Sequence, residues 1–176
     1  MSPRTAGPVA VVVGNPKPAS RTLQAAVAVA EALTGSRPDH VVDLVRLAGP
    51  LVGIGNEADT AELHAALSTV RGSSVAVFAS PTFKATYSGL LKLFLDRIPG
   101  ATGLAGVVSV PVMLGAGPTH ALAPDLLLRP VLTELGGVTA LPGLYMIDSH
   151  AVEEALAPYA ERWAPVVAAL ARPSLV

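Results

Sequence analysis

Two stretches of this sequence bring hydroxyl, amide, cationic and aromatic side chains together at short spacing. They are Gly14-Asn15-Pro16-Lys17-Pro18-Ala19-Ser20-Arg21-Thr22 and Ser80-Pro81-Thr82-Phe83-Lys84-Ala85-Thr86-Tyr87-Ser88-Gly89-Leu90-Leu91-Lys92. The first has the chemistry of an anion site. Ser20 and Thr22, flanking Arg21, fall where the N-cap and first-turn hydroxyls of a following helix belong. The unpaired N–H groups and the dipole of such a helix favour negative charge. Asn15 adds an amide donor, and Lys17 adds a positive charge within the same loop. Each hydrogen bond to a charged group contributes about 1.5–3 kcal/mol, so three or four of them hold a phosphate at micromolar affinity or better. An ordinary capped helix after a proline-rich turn would read the same way. The six-residue glycine pattern of a dinucleotide-binding first turn is absent.

The second stretch has the composition of a platform for a flat ring. Pro81 stiffens the exit from a strand, Phe83 offers an aromatic surface, and Ala85, Ser88 and Gly89 are small enough to let a planar ligand approach the backbone. Phe83 and Tyr87 as plain core aromatics is the competing reading. A third turn, Gly115-Ala116-Gly117-Pro118, belongs at the same edge of the molecule and offers a second wall, although a lone Gly-X-Gly also describes a simple turn. A phosphate and a flat ring held together point to a flavin mononucleotide, FMN.

These loops need elements that bring them to one place, and the hydropathy pattern supplies them. Strands are expected over Val9 to Val13, His40 to Leu47, Val75 to Ala79, Val107 to Leu114 and Val138 to Ile147, the last bent at Pro142-Gly143. Helices are expected over Ser20 to Thr34, with Leu23, Val27, Ala30 and Leu33 inward, and over Asp59 to Val70, with Leu63, Leu67 and Val70 inward. Three more follow: Ser88 to Ile98, Thr119 to Leu135 with an irregular start and a kink from Pro124 and Pro130, and a last one from Val152. The stripe Val152, Leu156, Tyr159, Trp163, Val166 and Leu170 places Trp163 in packing. Alternating strands and helices make a three-layer α/β domain with a parallel sheet, spanning residues 1–176 as one unit. Ligands of such sheets sit at the carboxyl edge, where these loops lie.

Composition narrows the function. Hydrophobic residues make up 51% and charged residues 14% of the chain, so the surface must be unusually apolar, which points to homo-oligomerisation. A net charge of -1 speaks against nucleic acid and anionic membranes as partners. Cysteine is absent, which removes disulfides, thiolate metal sites and cysteine nucleophiles. Met1 to Gly7 contain no apolar signal core, and the uncharged run between Arg97 and Asp125 is broken by glycines and prolines. A soluble, cytoplasmic protein is therefore expected.

The motifs Gly14 to Lys17 with Ser20 and Thr22, and Ser80 to Lys84 with Tyr87 to Lys92, Leu95 and Asp96, resemble the NADPH-dependent FMN reductases of the flavodoxin-like proteins. The reductases of alkanesulfonate and methanesulfonate use look most similar, with counterparts also for Gly115 to His120 and Leu128 to Leu132. The resemblance implies a five-stranded sheet ordered 2-1-3-4-5, FMN at its carboxyl edge, NADPH or NADH as reductant, and a homodimer or homotetramer. It assigns the phosphate to Asn15, Lys17, Ser20, Arg21 and Thr22. One side of the ring falls to Pro81, Thr82, Phe83 and Lys84, the other to Gly115, Ala116 and Gly117. Many members carry serine, arginine and tyrosine where this chain has Asn15, Lys17 and Phe83; lysine lacks arginine's bidentate fork. The implied activity is hydride transfer from nicotinamide C4 to flavin N5, supplying reduced FMN to a separate monooxygenase. An FMN-retaining quinone or azo reductase, or a flavodoxin-like electron carrier, are the alternatives. The cofactor carries this chemistry, so no catalytic acid–base residue and no metal site are expected. Asp148-Ser149-His150 are adjacent and cannot form a triad. His40 and His64 read as surface or boundary residues, His120 as a cap or interface residue beside the third loop with catalysis as the alternative, and Glu153-Glu154 as first-turn acids favoured by a helix dipole.

Overall fold

Strand β1, Val9–Val13, is buried along its whole length, as an unbroken β-branched run demands when both faces of a parallel sheet are covered. In the computed structural model, which describes residues 7–171, it is an inner strand of a sheet with β2 (His40–Asp43), β3 (Val75–Pro81), β4 (Val108–Gly115) and β5 (Leu144–Ile147). All pairings are parallel and the order is β2-β1-β3-β4-β5, the order the sequence implied. The order in which strands are added reverses between β1 and β3, so the loops leaving these two parallel strands run to helices on opposite faces and diverge at the carboxyl edge. Register levels the ends: Val13 pairs with Ala79, and Ala79 with Val112. Gly14 N–H then bonds Ala79 O at 2.8 Å, and Thr82 N–H bonds Leu114 O at 2.6 Å.

Strand alternation sends Val9, Val11, Val13, Val75, Val77, Val110 and Val112 to one face. There they meet helices α1 (Arg21–Thr34) and α6 (Val152–Leu170). Ala10, Val12, Ala76, Phe78 and Met113 face the other side, against α3 (Glu57–Arg71), α4 (Gly89–Leu95) and α5 (Arg129–Glu134). The expected termini, Met1 to Ala6 and Arg172 to Val176, lie outside the described residues.

Several elements differ from expectation, the second strand, the last strand and the face of α1 for packing reasons. The second strand stops at Asp43, and Leu44–Leu47 form a 3-10 turn leading into a short helix α2 (Ala48–Leu51). Leu44, Leu47 and Leu51 recur at helical spacing, and all three enter the same core; strand alternation would have split them between faces. The last strand begins at Leu144, with Val138 contributing a single bridge to Val108. Pro142 has no N–H for a ladder, and Gly143 N–H is drawn to Asp125 Oδ1 at 2.8 Å. In α1 the buried face is Ala25, Ala26, Val29, Ala30 and Leu33, with Leu23 and Val27 only half-buried. Small residues there let the helix sit close to the sheet.

The expected irregular helix is broken into a 3-10 turn (Pro118–His120), a π-helical turn (Pro124–Leu128) and α5. Helix α4 is shorter than expected, capped by Ser88 and ending at Leu95 in tight turns through Arg97 and Ile98. Trp163 packs against the first core as its stripe implied, under the guanidinium of Arg162 at 5.3 Å. No helix among the described residues is long and apolar enough to cross a membrane.

Candidate functional site

The first loop leaves β1 at Gly14, where a side chain has no room: a Cβ would stand 2.5 Å from Leu91 Cβ and 2.9 Å from Ser88 Oγ. Pro16 and Pro18 carry no N–H, and Ala19 takes a left-handed φ of 49° that turns the chain into the cap of α1. Ser20 Oγ accepts the Leu23 N–H at 3.2 Å. The Arg21 and Thr22 N–H groups, at the start of the helix, have no intrahelical partner. Asn15 ties the loop together: its Oδ1 accepts the Lys17 N–H at 2.9 Å, and its Nδ2 donates to Thr22 Oγ1 at 2.9 Å. Ser20 and Thr22 are buried, while Lys17 and Arg21 are exposed. Both hydroxyls accept from the protein and so keep a proton to donate, next to a helix N-terminus and two cations. Such a loop has the donors and the charge that an anion needs.

The second loop is pinned to the first by two serines. Ser80 Oγ accepts the Ser88 N–H at 2.8 Å and donates to Pro81 O at 2.8 Å. Ser88 Oγ accepts the Leu91 N–H at 3.1 Å, capping α4, and donates to Gly14 O. Beyond Pro81 the chain makes a tight turn in which Phe83 and Thr86 exchange backbone bonds at 2.8 and 3.1 Å. Its central residues Lys84 and Ala85 have φ of 50° and 70°, the signature of a type I′ turn without glycine. That geometry costs about 1–2 kcal/mol per residue. The turn leaves Phe83 49% exposed at the sheet edge, so it is not a core aromatic. Tyr87 does pack on the second core, and burial raises its hydroxyl pKa, with Lys92 opposing and Asp96 adding.

The third loop follows β4. Gly115 faces Tyr145: a Cβ there would meet Tyr145 Oη at 2.0 Å and Thr82 Cβ at 3.3 Å. Tyr145 Oη donates to Gly117 O at 2.8 Å, and Asp148 N–H bonds Gly115 O at 2.9 Å. The hydroxyl oxygen of Thr82 is buried here without a hydrogen-bond partner among the described residues. His120 ends the 3-10 turn and lines a groove of about 400 Å³ with Ala85, Pro118, Leu122, Leu126 and Leu127. The His150 ring lies 3.4 Å from the Glu154 carboxylate, one helical turn on. The sequence reading did not mark Tyr145; its signal was an aromatic in the last strand, next in the sheet to the strand that ends at Gly115.

The three loops thus meet at the carboxyl edge, the first held to the second by Ser88 on Gly14, and the third set against the second at Gly115 and Thr82. The sequence profile of the NADPH-dependent FMN reductases matches residues 8–152. The chain belongs to that family. It is 30% identical over 171 residues to an NADH-dependent FMN reductase, SfnF, of Pseudomonas fluorescens, covering 89% of each protein. It is 34% identical over 147 residues to an FMN reductase (NADPH) of Pseudomonas aeruginosa, covering 80% of this chain and 76% of that one. Among solved structures, an NADH:FMN oxidoreductase, EMOB, in its apo form superposes with a TM-score of 0.74 at 25% identity, covering 93% of this chain and 88% of the other. The protein is an NAD(P)H-dependent FMN oxidoreductase, and FMN and a reduced nicotinamide nucleotide are its cofactors. The residues present fit FMN. The first loop holds donors of the kind a phosphate takes, and the orphaned Thr82 hydroxyl marks the junction of the second and third loops.

Proposed function

We propose that this reductase delivers reduced FMN to a separate flavin-dependent monooxygenase, and that its flavin is exchanged rather than retained. The observation that supports this is the openness of the ring side of the crevice. Phe83 is 49% exposed at the tip of its turn, and Ala116 is exposed on the facing loop, so a ring between them stays reachable by a second planar group and can leave. In this reading Ser20, Thr22, Lys17, Arg21 and the α1 N-terminus hold the phosphate. Pro81, Thr82 and Phe83 line one side of the ring, and Gly115 to Gly117 line the other. Bound there, FMN supplies the redox chemistry by accepting hydride from the nicotinamide. The protein supplies position and a restricted approach.

The same reading makes the protein a cytoplasmic homo-oligomer. Leu122 and Leu126 are each 66% exposed, and with Leu127 they form an apolar surface beside the Ala85 turn that a second copy would cover. The deciding experiment measures NADPH and NADH consumption by flavin-stripped protein with and without free FMN. Saturable, FMN-dependent turnover with flavin lost on gel filtration is expected. Flavin that stays bound through the column and passes electrons to a quinone would replace the supply role with a retaining reductase.

A further inference from the structure

We propose that Asn15 is a positioning residue: it sets the direction of the Thr22 hydroxyl, so that Thr22 presents its proton to the phosphate, and does not itself meet that phosphate. The inference rests on the FMN reading and assigns one residue a role that reading left open. The Lys17 backbone nitrogen can only donate, so the side-chain atom of Asn15 at 2.9 Å from it has to be Oδ1. That fixes the amide and leaves Nδ2 facing Thr22 Oγ1 at 2.9 Å. An amide NH₂ has no lone pair to offer, so Thr22 is the acceptor in this bond and its proton must point elsewhere. Thr22 is 2% exposed and donates to no group among the described residues, so its proton has little bulk water to meet. Ser20, 4% exposed, is held in the same polarity by the Leu23 N–H. An anion in the loop completes both hydroxyls. The sequence of contacts is therefore backbone to Asn15 to Thr22 to ligand.

The test is a double-mutant cycle on flavin-free protein, with FMN and riboflavin titrated separately by quenching of flavin fluorescence. Asn15→Ala and Thr22→Ala are each expected to raise the Kd for FMN about tenfold, the weight of one hydrogen bond to a charged group. The double variant is expected to be no weaker than Thr22→Ala alone, because both substitutions remove the same bond to the ligand. Riboflavin, which lacks the phosphate, is expected to bind all four proteins within about twofold. Multiplying effects in the double variant would show Asn15 touching the phosphate directly and would overturn the proposal. So would a parallel loss of riboflavin binding, which marks a general collapse of the loop, or an Asn15→Ala variant with unchanged FMN affinity. A parent protein that binds neither flavin would overturn the FMN reading itself, and it would do so before any variant is compared.

Discussion

Tyr145 and Gly115 occupy one space between them: the tyrosine hydroxyl stands where a Gly115 side chain would be, 2.0 Å from its Cβ position, and from there donates to Gly117 O at 2.8 Å. A residue of the edge strand thus shapes the loop of its neighbour. The glycine wall of the crevice is fixed from behind by this contact, and the sheet carries it without any residue of the loop needing a side chain.

Tyr145→Phe is therefore expected to leave the fold intact while loosening that wall. Loss of one hydrogen bond of this kind costs about 0.5–1.5 kcal/mol, which corresponds to a few-fold to tenfold weaker flavin binding. Gly115→Ala is expected to be far more severe, because the new methyl group meets a held side chain. Flavin titration together with urea denaturation separates the two: the first variant moves mainly the Kd, the second both Kd and stability.

Ser20 caps α1, and in the proposed site it also offers a proton to the phosphate. Ser20→Ala removes both and is expected to cost about 1 kcal/mol of stability. Ser20→Gly keeps most of the cap, since glycine is only a few tenths of a kcal/mol worse there, but has no hydroxyl. Both variants are expected to weaken FMN binding by about tenfold, whereas only the alanine variant lowers the melting temperature. A glycine variant with parental FMN affinity would remove Ser20 from the phosphate site.

The three loops were legible in the sequence because each joins a β-branched run to glycine, proline or hydroxyl residues, a combination that marks strand ends whatever the rest of the chain does. Phe83 could be placed at the edge but not shown to be exposed. Its exposure depends on the I′ turn, which Lys84 and Ala85 adopt without the glycine or asparagine that normally announces it. Tyr145 escaped notice because its contact with Gly117 crosses 28 residues, and no local pattern encodes it. The serine link from Ser80 through Ser88 to Gly14 is hidden for the same reason. The end of β2 was misplaced because Leu44 and Leu47 are apolar in either period, and only the position of the second core decides between them.

The apolar surface at the π-helical turn gives a test of assembly. Leu126 is 66% exposed, so Leu126→Glu removes no core contact of its own chain and is expected to leave the melting behaviour of the subunit nearly unchanged. A second copy seated there would have to bury the new charge. Sedimentation of the variant is therefore expected to show a smaller species than the parent, and an unchanged profile would place the interface elsewhere.

Alkaline stability should report on Tyr159, whose hydroxyl donates to Pro142 O at 2.7 Å and so fastens α6 to the segment leading into β5. Burial pushes its pKa well above the ordinary tyrosine range; Asp125 adds to the rise and Arg129 opposes it. The unfolded chain releases this proton near pH 10, whereas the native state retains it to higher pH. The stabilisation is thus fully present below about pH 10 and declines above it, by up to about 1.4 kcal/mol per pH unit, until the native tyrosine also ionises. Tyr159→Phe lacks the titrating group, and its stability is expected to start lower, for want of the hydrogen bond, but to fall less steeply between pH 10 and 11. Urea midpoints measured across that range check this, and parallel slopes for the two proteins would show that Tyr159 does not control the alkaline limit.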